Sequence, residues 1–155
     1  LPRMASRLPL VERGVLWVEV DVGGAAVQVL NTHFSIHERE RRLQVRELVG
    51  DRWLASPDCT GPVVLAGDFN ASPDSRIVRS VETRLASVAA GGRPRTWSSR
   101  MPVRRIDHVF RSDELEVRGV SVPRSRLSRT ASDHLPLVVD FEVSRSNPTH
   151  EEVAG

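Results

Sequence analysis

The 155-residue chain contains no lysine, so all 22 of its basic side chains are arginine. Guanidinium groups titrate far above any other side chain. The sequence pI of about 9.8 therefore comes from arginine chemistry, because the formal net charge is only +2. The arginines are interleaved with acids, so no basic stripe of the kind that marks nucleic-acid binders is present. Cys59 is the single cysteine, which excludes an internal disulfide. No apolar run approaches the length needed to cross a bilayer. No long apolar segment followed by a small-residue cleavage site opens the chain. A cytoplasmic compartment is expected. Repeats and low-complexity segments are also missing. The chain opens on Leu1 instead of Met, and Pro9-Leu10 stands just before the first clear strand. It reads as if it begins partway through a larger unit.

What is present is one domain's worth of globular sequence, 39% hydrophobic. In residues 15–22, Leu16, Val18, Val20 and Val22 alternate with Glu19 and Asp21, the period of a half-buried strand. Gly23-Gly24 is a tight hairpin signal. Val27 and Val29 lead a second strand into Asn31-Thr32-His33. Ser35 and Glu38 fit a capping box that opens a helix. Val45, Leu48, Val49 and Trp53 give that helix one apolar stripe, with the intervening Arg, Glu and Gln residues on its wet face. Residues 62–66 are a short apolar run closed by Gly67, the pattern of a fully buried strand. Ser72 as N-cap with Pro73 at the first helical position begins another helix, with Ile77, Val78 and Val81 toward the core. Residues 89–94 form a Gly-rich loop. Residues 106–110 are a strand with Asp107 inside it. Leu115, Val117, Val120 and Val122 belong to a strand in which Gly119 marks a bulge. Residues 123–130 read as an Arg/Ser loop. Leu137, Val139, Phe141 and Val143 alternate in a last strand. The domain is expected over residues 1–143, with a frayed polar tail over 144–155.

Four polar clusters stand at or beside strand ends: Asn31-Thr32-His33, Gly67-Asp68-Phe69-Asn70, Arg105-Ile106-Asp107-His108 and Ser132-Asp133-His134. Asp68 and Asn70 stand two apart, so an extended backbone would point both to one side. Each cluster alone is ordinary turn chemistry. Four in this order point to a site. Hard oxygen ligands such as Asp and Asn suit Mg²⁺ or Mn²⁺, and such an ion polarises a phosphate and offsets developing charge. A histidine held by a carboxylate can act on the same phosphate as acid, base or clamp. Asp107 in an apolar strand needs a partner to be buried at all, and His134 is the natural one. His108 points to the opposite face, as a structural residue. Trp97 packs under the site or fills core.

The motifs Asn-Thr-His, Gly-Asp-Phe-Asn, Ile-Asp-His and Ser-Asp-His-x-Pro resemble, in order, those of the endonuclease/exonuclease/phosphatase superfamily. That group includes pancreatic-type deoxyribonucleases, apurinic endonucleases, inositol polyphosphate 5-phosphatases and neutral sphingomyelinases. The resemblance runs from about Ser6 to Val143. It implies a four-layered α/β sandwich and divalent-metal-dependent phosphoester hydrolysis with Mg²⁺ or Mn²⁺. It further implies that His33 binds phosphate or donates a proton, and that Asp68 orients or deprotonates the attacking water. Asn70 would hold phosphate or position the metal, Asp107 would hold His134, and His134 would stabilise the pentacoordinate phosphate or act as base. Asp133, with Asp68 and Asn70, would be the metal ligands. Asn31, Asn70 and Arg105 are the substrate-binding candidates.

The family fold normally has an N-terminal half of similar size carrying the principal Glu ligand, and Glu12 lacks that context. Residues 1–155 therefore resemble the C-terminal half, about one sheet with its helices. Leu16, Val18, Val20, Leu137, Val139 and Phe141 would then need cover from self-association, a partner chain or a longer protein. The alternative reading is a catalytically incomplete fragment or a binding remnant. A hydrolase built on Ser132 or Ser35 ranks behind both, because no Gly-x-Ser-x-Gly signature is present. The substrate, whether nucleic acid, phospholipid headgroup or inositol phosphate, is left open.

Overall fold

The structure is a computed structural model that describes residue 1, residues 12–88 and residues 94–144. The tail expected beyond residue 144, most of the Gly-rich loop and Pro9-Leu10 lie outside the described residues. The described elements run β1 (Val15–Val22), β2 (Ala25–His33), α1 (Glu38–Leu48), β3 (Val63–Asp68), α2 (Arg76–Glu82), β4 (Ala86–Ser87), β5 (Asp107–Arg111), β6 (Leu115–Ser121), α3 (Arg126–Ala131) and β7 (Val138–Val143). The fold is mixed α/β, and the chain covers part of the four-layered architecture. One sheet has the order β1-β2-β3-β5-β4, while β6 and β7 form a separate two-stranded ribbon.

β1 and β2 are an antiparallel hairpin turned by Gly23 and Gly24, at φ 61° and 90°. Two consecutive positive φ values are what a tight hairpin turn needs and what glycine supplies. β2 and β3 pair in parallel, with α1 in the connection between them, and β3 pairs antiparallel with β5. The expected bulge in β6 is present as a register shift between Val117 and Gly119.

Register separates the two faces of the sheet. Trp17, Leu30, Leu65 and Phe110 align strand by strand on one face. That face packs with Val45 and Leu48 of α1 and Ile77, Val78 and Val81 of α2 in one core. The other face carries Leu16, Val18, Val20 and Val22, which are 63%, 41%, 41% and 48% exposed. His33, Asp68 and Asp107 align on this same open face. The apolar alternation of β1 thus marks a face that the described residues leave uncovered. Leu137, Val139 and Phe141 differ from that expectation, since each is half-buried.

Local signals were displaced at both helix starts. His37, not Ser35, holds the N-cap position of α1 and makes no side-chain cap. Ser35 Oγ instead accepts from the His37 N–H, and the Ser35 N–H donates to Gln44 Oε1. Gln44 is therefore fully buried and Glu40 is 4% exposed, so that face is not wet. Trp53 lies past the end of α1, yet it still packs on the core. Ser75, not Ser72, caps α2, accepting from the Val78 N–H. Ser72 forms the preceding turn through its carbonyl. The Arg/Ser loop contains the short helix α3, capped by Ser125.

Candidate active site

Gly67 is where the central strand becomes a site. A Cβ there would lie 1.9 Å from the Thr32 carbonyl oxygen, and its φ is 154°. Only glycine lets β2 and β3 stay paired at this point. Asp68 ends β3 beside His33 at the end of β2 and opposite Asp107 at the start of β5. Phe69 is fully buried against Phe34, Phe110 and His108, which pins the turn that follows.

Asn70 does not continue the strand. Its φ is 47°, and its N–H donates to Asp68 Oδ1 at 2.8 Å. The expected two-residue extended spacing is thus replaced by a left-handed Asx-type turn, a conformation Asn tolerates. Asn70 Nδ2 donates to the Phe34 carbonyl at 2.9 Å and stands 3.3 Å from His33 Nε2. With the amide nitrogen committed, Oδ1 is left for a donor or a cation.

Asp107 Oδ2 lies 2.9 Å from His134 Nδ1. This contact fixes the tautomer and leaves Nε2 as the working nitrogen. His134 Nε2 is in turn 3.8 Å from Asp68 Oδ2, while His33 Nε2 is 3.3 Å from the same oxygen. His33, Asp68, Asn70, Asp107, Asp133 and His134 all line one cleft of about 830 Å³. Two candidates lie elsewhere. Asn31 is exposed on the open sheet face and does not line the cleft. Arg105 is 7% exposed, and its Nη2 donates to the Val88 carbonyl. As a side chain spent on the backbone, it lines a neighbouring pocket and not this cleft. His108 is 1% exposed and bonds the Ala71 carbonyl at 2.9 Å, a structural role on the opposite face. Ser132 Oγ accepts from the His134 N–H and Ser35 Oγ from the His37 N–H, so among the described residues neither serine hydroxyl is paired with a side-chain base.

Sequence reading missed four contributors. Thr96 is fully buried, and its hydroxyl donates to Asp107 Oδ2, the oxygen that holds His134. Its carbonyl accepts from the Leu135 N–H, tying the His134 segment to the same point. Arg41 lines the cleft and clamps the loop after His33, donating to the Ser35 and Ile36 carbonyls. Gln44 holds Ser35 from the same helix. Arg13 lines the cleft as a further cation. The Thr96 contact spans 11 residues and carries no local pattern, and the burial of Gln44 is set by packing that the sequence does not display.

The titrations reflect this crowding. Burial raises the Asp68 carboxyl above its ordinary range, against the Asn70 N–H, and the Asp107 charge adds to the rise. Burial also lowers His33, with the Arg13 charge, and the Asp68 charge opposes this in part. Both shifts disfavour a charged His33–Asp68 pair. Burial pulls His134 down, but the Asp107 hydrogen bond and the charges of Asp107, Asp68 and Asp133 outweigh it, so the net shift is upward. His134 is thus the imidazole most readily protonated in the cleft.

Asp68, Asp107 and His134 place three potential metal-ligand atoms within 4.8 Å of one another. One Asp107 oxygen already serves both His134 and Thr96. Asp68, whose Oδ1 accepts only the Asn70 N–H, the exposed Asp133 and the Asn70 amide oxygen are the oxygens best placed to serve an ion. An all-oxygen set of this kind suits a hard divalent cation.

The mixed α/β sheet thus gathers two carboxylates, an asparagine and a carboxylate-held histidine in one cleft at its strand ends. The chain belongs to the Endonuclease/Exonuclease/phosphatase family, whose profile matches residues 3–134. That family includes phosphatases and nucleases. The chain is 31% identical over 130 residues to a UPF0294 protein of Vibrio cholerae, covering 77% of this chain and 41% of that one. It superposes on an endonuclease/exonuclease/phosphatase from Beutenbergia cavernae with TM-score 0.70 and 29% identity, covering 88% of this chain and 41% of that one. For the endonuclease/exonuclease/phosphatase from Bacteroides vulgatus the values are 0.73 and 22%, covering 84% and 56%. The chain thus spans about two-fifths of the curated relatives it matches. Among the described residues, no helix is long and apolar enough to cross a membrane.

Proposed function

We propose that this chain supplies the catalytic cleft of a divalent-metal-dependent phosphoesterase that acts through an activated water. The observation that carries this reading is the chain of contacts from Thr96 through Asp107 to His134 Nδ1, which aims His134 Nε2 toward Asp68. Mg²⁺ or Mn²⁺ held by Asp68, Asp133 and Asn70 would supply charge neutralisation for the phosphate. His134, kept protonated more readily than an ordinary histidine, donates to the phosphate oxygens as negative charge accumulates there. Asp68, at the centre of the cleft between His33 and His134, orients the attacking water and takes its proton. His33, whose Nε2 lies 3.3 Å from the same Asp68 oxygen, orients the phosphate, and Asn70 serves the ion through its amide oxygen. The test is hydrolysis of bis(p-nitrophenyl) phosphate and p-nitrophenyl phosphate with each ion. Asp68→Asn and His134→Gln should each cut the rate about 100-fold or more, the range typical of lost general acid–base groups. Rates insensitive to both substitutions would exclude the assignment.

A second reading is favoured by one observation. Leu16, Val18, Val20 and Val22 form an exposed apolar row beside the site, and soluble monomers rarely carry such patches. On this reading, loading of metal and turnover need a further layer over the open face, from another segment, a partner chain or a second copy. Calorimetric titration of Mg²⁺ or Mn²⁺ separates the two, since an incomplete site binds neither ion measurably.

A further inference from the structure

Beyond Asn70 the cleft does not end. A second pocket of about 410 Å³ opens there, lined among others by Asn70, Ser72, Asp74, Arg95, Arg104 and Arg105. Asn70, Arg104 and Ile106 line both spaces, so the two are lobes of one groove meeting at Asn70. Among the described residues, the second lobe sets three guanidinium groups against one carboxylate, that of Asp74. Arg105 is its buried floor, held to the Val88 carbonyl. Arg95 and Arg104 are exposed. Arg104 is also pre-positioned, because its guanidinium lies over the Trp97 ring, 5.5 Å from the centroid. Its backbone exchanges two hydrogen bonds with Trp97, and Trp97 is bridged on its other side to His134. The cation that faces the second lobe is therefore built on the same strip of chain that carries the reacting histidine. An arginine held over an aromatic face loses less freedom when it grips an anion than a free one does.

We propose that this second lobe is a subsite for a second anionic group of the substrate, a phosphate neighbouring the one that reacts. The inference rests on the phosphoesterase reading and narrows it. The preferred substrate carries at least two phosphates, either successive backbone phosphates of a single strand or two on a small bisphosphate. Arg104 and Arg95 hold the non-reacting phosphate, and Asn70 divides the two positions. Asp74 sets the limit on how far the anion enters, since it repels a phosphate pushed to its side.

Calorimetry on the chain with Mg²⁺ tests this with three ligands: phenyl phosphate, fructose 1,6-bisphosphate and a 5′-phosphorylated thymidine dinucleotide. The expected result is that at least one two-phosphate ligand binds about tenfold or more tighter than phenyl phosphate, in line with one charge-assisted contact. Whichever ligand gains identifies the source of the second phosphate. Arg95→Ala should remove most of that gain while leaving phenyl phosphate affinity within about twofold, and Arg104→Ala should remove the rest. Circular dichroism confirms that these exposed-site variants are folded. Equal affinity for one- and two-phosphate ligands, with phenyl phosphate bound, overturns the subsite and leaves the phosphoesterase reading intact. A gain that survives both substitutions also overturns it. Failure of the folded chain to bind any of the three overturns both.

Discussion

Replacing Gly67 with alanine should break the protein at the point where the fold makes the site. The added Cβ would sit 1.9 Å from the Thr32 carbonyl oxygen, 2.9 Å from its carbon and 3.2 Å from its nitrogen. All three are backbone atoms of the paired strand, so no side chain can swing aside. β2 and β3 would have to part by roughly 1.5 Å to restore an ordinary contact. That separation weakens about two ladder hydrogen bonds next to a fully buried core, at about 1 kcal/mol each. The positive φ adds about 1–2 kcal/mol for a residue with a Cβ. The expected loss is about 3–4 kcal/mol, a large share of the stability of a domain this size. Urea unfolding followed by tryptophan fluorescence and far-ultraviolet circular dichroism measures it directly. Gly14→Ala is the control, because nothing lies within 4 Å of a Cβ there. A Gly67→Ala protein within about 1 kcal/mol of the parent would refute the claim that glycine is required by the β2–β3 approach.

Three further outcomes are expected. His108 is buried and its pKa is pushed down to about 4, chiefly by burial. The unfolded chain takes up that proton near the ordinary value, so stability is complete above about pH 6.5 and falls as pH drops. Roughly 3 kcal/mol is lost by pH 4, and acid titration of His108→Gln should show a flatter profile. A profile unchanged by that substitution would remove His108 as the cause. Asp107→Asn should lower the His134 pKa, since Asp107 supplies the hydrogen bond and the nearest of the charges that raise it. Imidazole NMR reads this out, and an unmoved titration would detach the two groups. Finally, light scattering should find the isolated chain larger than its 17.2 kDa monomer. Leu16→Ser with Val18→Ser should reduce that association, and a strictly monomeric parent would show that the open face is tolerated.

The strands and the site motifs were legible because their signals are local. Alternation in β1, the Gly23-Gly24 turn and the apolar run before Gly67 each report a backbone period or a φ requirement. Asp107 stood out because an acid in an apolar strand demands a partner, and His134 occupies that place. What was not legible depends on contacts made across the chain. Ser35 and Ser72 carry good cap chemistry, but buried Gln44 takes the Ser35 N–H and the turn at Ser72 precedes the true cap, Ser75. Arg105 and Asn31 had suitable chemistry at suitable places in the sequence. Burial removes the first from the cleft, and the second lies exposed outside the cleft lining. Thr96 had no signal at all, since its function comes only from meeting Asp107 after folding.

The central claim is that His33, Asp68, Asn70, Asp133 and His134 act as one metal and phosphate site. NMR of the His33 and His134 imidazoles during stepwise addition of Mg²⁺ and then dimethyl phosphate tests it most directly. The account expects both imidazoles to shift together as phosphate is added, with Mg²⁺ required, and expects Asp68→Asn to abolish the response. Imidazoles that ignore both additions, or that respond independently of Asp68 and of the ion, would contradict it.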